Sequence, residues 1–180
     1  MLRLLQRLSL AGAWLGGGLM LVAALLIGAD VLARNAFAAA PFFSLELSRY
    51  AFAAALALGM AQALLTRTHI RIDVLHRLLP RRLHAPLDAL ALAAAAVFAS
   101  ALAWYGWEVV AESARLRAVS NSPLAVPLAW PQAVWAAGFT WFAAVAWVLL
   151  VHVLLCLLRG RTDAVAELAG MPGMGEEAPR

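Results

Sequence analysis

Residues 118–158 read AVSNSPLAVPLAWPQAVWAAGFTWFAAVAWVLLVHVLLCLL, 41 consecutive positions without a formal charge. A membrane-crossing helix needs roughly 20 mostly apolar residues, so the stretch is long enough to hold a span and too long to be one. Pro123, Pro127 and Pro131 divide it. Proline inside a helix removes a hydrogen bond and clashes with the preceding turn. Residues 120–130 are therefore expected to form a turn-rich loop, and a helix is expected to start at Pro131, since the first helical position tolerates a missing N–H. From Pro131 the apolar run continues to Leu158 and stops before Arg159 and Arg161.

The rest of the chain follows the same rule. Of 180 residues, 64% are apolar and 13% charged, against roughly half and a quarter in soluble domains. A chain this short could not hide that excess from water, so it must face lipid. Upstream of the quoted stretch, an uncharged core at residues 89–107 ends in Trp104, Tyr105 and Trp107, an interfacial aromatic belt, and Glu108, Glu112, Arg115 and Arg117 then mark water. A further span lies between Glu46 and Arg67. Its Ala-rich middle, with Gly59, makes a thin helix expected to pack on protein. The first apolar run, residues 8–29, exceeds the 7–15 residues of a leader's apolar core and is read as a retained helix, with Gly16, Gly17 and Gly18 as a close-packing face.

The expected fold is all-α: a polytopic membrane protein with four transmembrane helices in one domain, residues 1–160. Its spans are placed at about residues 10–33, 45–65, 86–111 and 131–158, followed by a mobile cytoplasmic tail at 161–180. The link at residues 66–84 is basic, with Arg67, Arg71, Arg77, Arg81 and Arg82, three His including His69, and Asp73. Val74, Leu75, Leu78 and Leu79 recur at helical spacing, so a short amphipathic helix on the membrane surface is expected there. Nine Arg near span ends fall on the side of the termini and this link, and four (Arg34, Arg49, Arg115 and Arg117) on the other. The positive-inside rule then puts both termini in the cytoplasm.

Little in the sequence carries chemistry. Cys156 is the lone cysteine and sits in an apolar run, so neither a disulfide within the chain nor a paired-cysteine metal site can form. His152 is the lone His inside a span and cannot supply two axial ligands. No phosphate loop, zinc motif or nucleophile elbow is present, and the Arg residues flank apolar runs instead of forming a nucleic-acid patch. We expect no enzyme activity, no catalytic residue, no cofactor or metal in this chain, and no nucleic-acid partner. Asp30 with Arg34 and Glu46 with Arg49 are spaced to meet on one helix face, and serve either as interface anchors or as docking points for a second membrane protein.

Glu46-Leu47-Ser48-Arg49-Tyr50, Leu58-Gly59-Met60-Ala61 and Arg67-Thr68-His69-Ile70-Arg71-Ile72-Asp73 follow one another in order. This set resembles the central signature of the small membrane subunit (DctQ-type) of tripartite ATP-independent periplasmic (TRAP) transporters. Asp30 to Arg34 before Pro41, and Ser120 to Pro131 with Pro127 and Trp130, resemble flanking parts of that family. The likeness runs over roughly residues 10–158; Met60 stands where Ala is common, and Arg67 to His69 is shorter than usual. The resemblance implies a scaffold subunit in the bacterial inner membrane. It would support a large subunit that carries the substrate and sodium sites, with a periplasmic substrate-binding protein delivering an organic acid, while membrane lipids surround the helices. The competing reading is a self-sufficient, homo-oligomeric small transporter or channel, which would need a pathway acid such as Asp30. The residues that the resemblance and the charge pattern single out for an interface or structural role are Asp30, Arg34, Glu46, Arg49, Gly59, Arg67, His69, Asp73, Pro127 and Trp130.

Overall fold

The computed structural model describes residues 2–37, 43–68, 80, 83–161, 165 and 168. The described residues form four long helices: α1 (Leu2–Phe37), α2 (Phe43–Leu65), α3 (His84–Arg115) and α4 (Ala129–Leu158). All four are long and apolar enough to cross a membrane. The expected amphipathic link, with His69 and Asp73, lies outside the described residues.

Each helix runs past the span expected from the charges. α1 has 36 residues, or roughly 54 Å at 1.5 Å per residue, against a hydrocarbon core of about 30 Å. A charged residue marks where water begins, not where helical hydrogen bonding ends. α4 begins two residues before Pro131. The first backbone N–H groups of a helix have no partner within it, so a proline still in the first turn forfeits no bond. At the other ends, Arg67, Arg117 and Gly160 all have positive φ, at 58°, 48° and 67°. After each one the chain closes with the paired backbone bonds of a Schellman motif: Thr68 N–H to Ala63 C=O, Ala118 N–H to Ser113 C=O, and Arg161 N–H to Cys156 C=O.

The helices pack in the order α1–α2–α4–α3, with α1 against α2, α2 against α4 and α4 against α3. They form an open row, not a closed four-helix bundle. Alanine makes the row possible. Ala57, Ala61, Ala96, Ala99, Ala136 and Ala146 are fully buried, and lipid-embedded helices associate mainly through close van der Waals contact between small residues. The tightest approach joins α2 to α4: a Cβ on Gly138 would lie 2.8 Å from the Ala57 Cβ. Between α1 and α2, a Cβ on Gly16 would lie 3.0 Å from the Ala55 carbonyl oxygen. Thin α2 is thus packed on protein as its composition suggests, although Gly59, Gly17 and Gly18 are not at these contacts and would each meet open space.

Indole N–H groups add polar fastening inside the spans. Trp107 donates to Thr140 at 2.9 Å and Trp147 to Ser100 at 2.9 Å, both between α3 and α4. Trp141 donates to the fully buried Ser9 at 3.0 Å, which ties α4 to α1 past thin α2. Bonds of this kind contribute about 0.6–2 kcal/mol each in membrane helices. His152 Nδ1–H donates to the Val148 carbonyl at 2.8 Å, a bond within its own helix. Val165, beyond the last helix, is fully buried in the main apolar cluster, and Leu168 packs against it. At these two positions the packed domain extends past residue 160.

The glycine contacts give a paired expectation. Gly138→Ala should lower stability in detergent by about 1–3 kcal/mol, because overpacking outweighs the better helix propensity of Ala. Gly59→Ala, with open space around it, should leave stability unchanged or raise it by up to about 1 kcal/mol. Thermal unfolding of the two variants in the same detergent measures both.

Candidate functional site

Four of the charged residues singled out by the sequence, Asp30, Arg34, Glu46 and Arg49, gather where α1 ends, α2 begins and the 116–128 loop enters α4. Asp30 belongs to the last third of α1, and its carboxylate is buried. Its Oδ2 accepts from Ser44 Oγ at 2.8 Å and from Arg34 Nη2 at 3.1 Å. The first bond crosses from α1 to the start of α2 and fixes how the two helices meet. The second is the one-turn ion pair that the spacing of Asp30 and Arg34 suggests. Asp30 Oδ1 is sealed from solvent and has no hydrogen-bond partner among the described residues. An orphaned buried acceptor costs roughly 1–3 kcal/mol, so this atom marks a place for a donor.

Glu46 takes partners other than Arg49. Its Oε1 accepts from Tyr50 Oη at 2.6 Å, one turn along α2, and its Oε2 accepts from Ser122 Oγ in the distant loop. Ser122 also shares a hydroxyl contact of 3.0 Å with Ser120, and Ser120 Oγ accepts from the Val126 N–H. The loop closes on itself through a Val119–Pro127 bridge, with Leu128 N–H bonded to the Ala118 carbonyl. Pro127 therefore holds the base of the loop, and Trp130, in the first turn of α4, is largely exposed. Glu46 is thus the post to which the prolyl loop is tied. Arg49 is exposed, and no hydrogen bond or ion pair engages it among the described residues.

These elements frame a cleft of about 410 Å³ lined by Glu46, Arg49, Tyr50, Ser120, Asn121 and Ser122, among others. Its volume is in the range of small-ligand pockets, but it is open and lies at a helix end. What it offers chemically is one carboxylate already committed to hydroxyl donors, those hydroxyls, an amide and one guanidinium with no partner among the described residues. That set recognises and fastens. No three His, Cys, Asp or Glu side chains converge anywhere among the described residues.

Of the remaining candidates, Arg67 closes α2 in the left-handed conformation, and Gly59 is half-buried at no close contact. Several residues were not singled out by their sequence context: Ser44, Tyr50, Ser120 and Ser122 at this end, and Asp88, which is buried near the start of α3. Serine has no sequence signature as a latch, because its partner is 14 residues away in one case and 76 in the other. The spacing of Glu46 and Tyr50, one helical turn, was the signal available for that pair.

Residues 13–159 match the model of a protein family described as "Tripartite ATP-independent periplasmic transporters, DctQ component". No match was found among curated proteins.

The Glu46 post predicts a local effect. Glu46→Ala should free the 118–128 loop, raising its amide hydrogen exchange by about tenfold for bonds together contributing roughly 1.5 kcal/mol. Exchange in the middle of α4 should not change. Hydrogen-exchange mass spectrometry of the purified chain reads both.

Proposed function

The chain belongs to the DctQ component family of tripartite ATP-independent periplasmic transporters, and from that premise we propose that it is a scaffold subunit for uptake of an organic acid driven by sodium. In this reading a large membrane subunit carries solute and sodium, a periplasmic protein delivers the solute, and this chain widens the fixed body against which the large subunit works. It resides in the bacterial inner membrane with both termini in the cytoplasm, the side favoured by its Arg distribution. The 116–128 loop then faces the periplasm.

The observation that carries the proposal is the open row. Helices packed as α1–α2–α4–α3 enclose no lumen between them, so the arrangement suits a body laid alongside another membrane protein. α1 has the barest flank: in its most apolar stretch 11% of residues are buried. Trp14, Leu21, Leu25 and Leu32 are 76%, 69%, 73% and 71% exposed, and their spacing of 7, 4 and 7 residues aligns them as one ridge. Gly17 and Gly28 have open space where a side chain would project, which leaves room beside the ridge for a neighbouring backbone.

Affinity isolation of the tagged chain from its native membranes tests this. The expected result is co-recovery of a many-helix membrane subunit. Recovery of the chain alone, together with ion-dependent solute flux when it is reconstituted alone, would establish a self-sufficient transporter instead. Arg49→Ala should reduce recovery of the large subunit by about tenfold, the worth of a charged hydrogen bond, while leaving the melting temperature of the isolated chain unchanged.

A further inference from the structure

At the end of the molecule opposite the loop lies a second cleft of about 260 Å³, lined by Arg3, Gln6 and Arg7 from α1 and by Gln62, Leu65 and Thr66 at the end of α2. The geometry points to this cleft as a binding site for the phosphate of an anionic phospholipid, held by Arg3 and Arg7 together.

Four observations support the assignment. The first is charge. Arg3 and Arg7 are one helical turn apart and line the same cleft, and neither has a hydrogen bond or ion pair among the described residues. No acid occurs in residues 1–29 and none of the residues lining the cleft is acidic, whereas Arg34 and Arg115 each have a carboxylate on their own helix. Two neighbouring guanidinium groups repel one another unless an anion lies between them, and guanidinium presents its N–H groups in a fork that fits phosphate oxygens.

The second observation is size. The cleft is smaller than the roughly 300–1,000 Å³ of pockets for drug-sized ligands, which suits a headgroup phosphate more than a transported solute. Third, Gln6 and Gln62 line the same cleft, and their amide groups bring further donors. Fourth is position. α1 continues from the cleft along exposed Leu4, Leu8 and Leu15, an apolar track on which acyl chains can lie while the headgroup is at the water boundary. A free phosphate ion would make no use of that track, and the proposal therefore commits to lipid. It holds whichever leaflet this end occupies and does not depend on the transport reading above.

The test uses the full-length chain in detergent, with native mass spectrometry counting phosphatidylglycerol molecules retained against a phosphatidylcholine background. Arg3→Gln/Arg7→Gln should weaken retention of one phosphatidylglycerol by about thirty-fold, from roughly fivefold per Arg near an anionic headgroup. Arg159→Gln/Arg161→Gln, the control at the same end of the molecule on exposed residues outside the cleft, should leave it unchanged. Arg3→Lys/Arg7→Lys keeps the charge but loses the fork, and should fall between wild type and the Gln pair; it also keeps the test decisive if the Gln pair folds poorly. Equal retention in wild type and both cleft variants would overturn the proposal. So would equal losses from the cleft and control pairs, which would mean general surface attraction, or displacement of the lipid by millimolar inorganic phosphate, which would mean an ion site.

Discussion

The close approach of α2 to α4 at Gly138 and Ala57 is the contact on which the arrangement depends. α2 packs extensively on two sides, toward α1 and α4, and it can serve both because alanine leaves its backbone accessible from each. In water such a helix would gain little from burial. In lipid the hydrophobic drive between helices is absent and intimate packing takes over, so small side chains are an advantage. A bulkier α2 would push α1 away from α4 and break the Trp141–Ser9 bond between them.

Polar side chains then set the ends that apolar packing leaves undefined. Asp30 ties α1 to the start of α2 through Ser44, and Glu46 ties α2 to the loop before α4 through Ser122. The two carboxylates are thus consecutive fasteners along one edge of the row. They join elements that lie at the same end of the spans but far apart in the chain. Their role is to hold the loop face in shape, and Arg49 is an exposed charged group there with no hydrogen bond or ion pair among the described residues.

Much of the fold is legible in the sequence, because a span is a length of uncharged residues and lipid enforces that rule strictly. The four spans, the thin second helix and the prolyl loop all follow from it. What the sequence does not carry is the packing order. Glycines 16, 17 and 18 are identical in composition, yet Gly16 alone of the three touches α2, and no periodicity distinguishes it without knowing which side α2 takes. The site was half legible. Asp30–Arg34 is a local pair and could be seen by spacing. Glu46 was visible as a charge near a span end with Tyr50 one turn along, but its other partner is a serine 76 residues away, and no local rule reaches that far. Arg67 and Arg117 stand where glycine is usual, so the helix ends they close gave no glycine signal.

The open order α1–α2–α4–α3 underlies both the exposed flank of α1 and the scaffold role. Pulsed electron paramagnetic resonance between spin labels at exposed positions near mid-span, Leu21→Cys on α1 and Phe98→Cys on α3 in a Cys156→Ser background, tests it most directly. Neighbouring helix axes are about 8–10 Å apart, and α1 is tied to α4 by the Trp141–Ser9 bond, so the open row predicts a backbone separation of roughly 18–25 Å between α1 and α3. A separation of about 10–14 Å, that of adjacent or diagonal helices in a closed bundle, would contradict it.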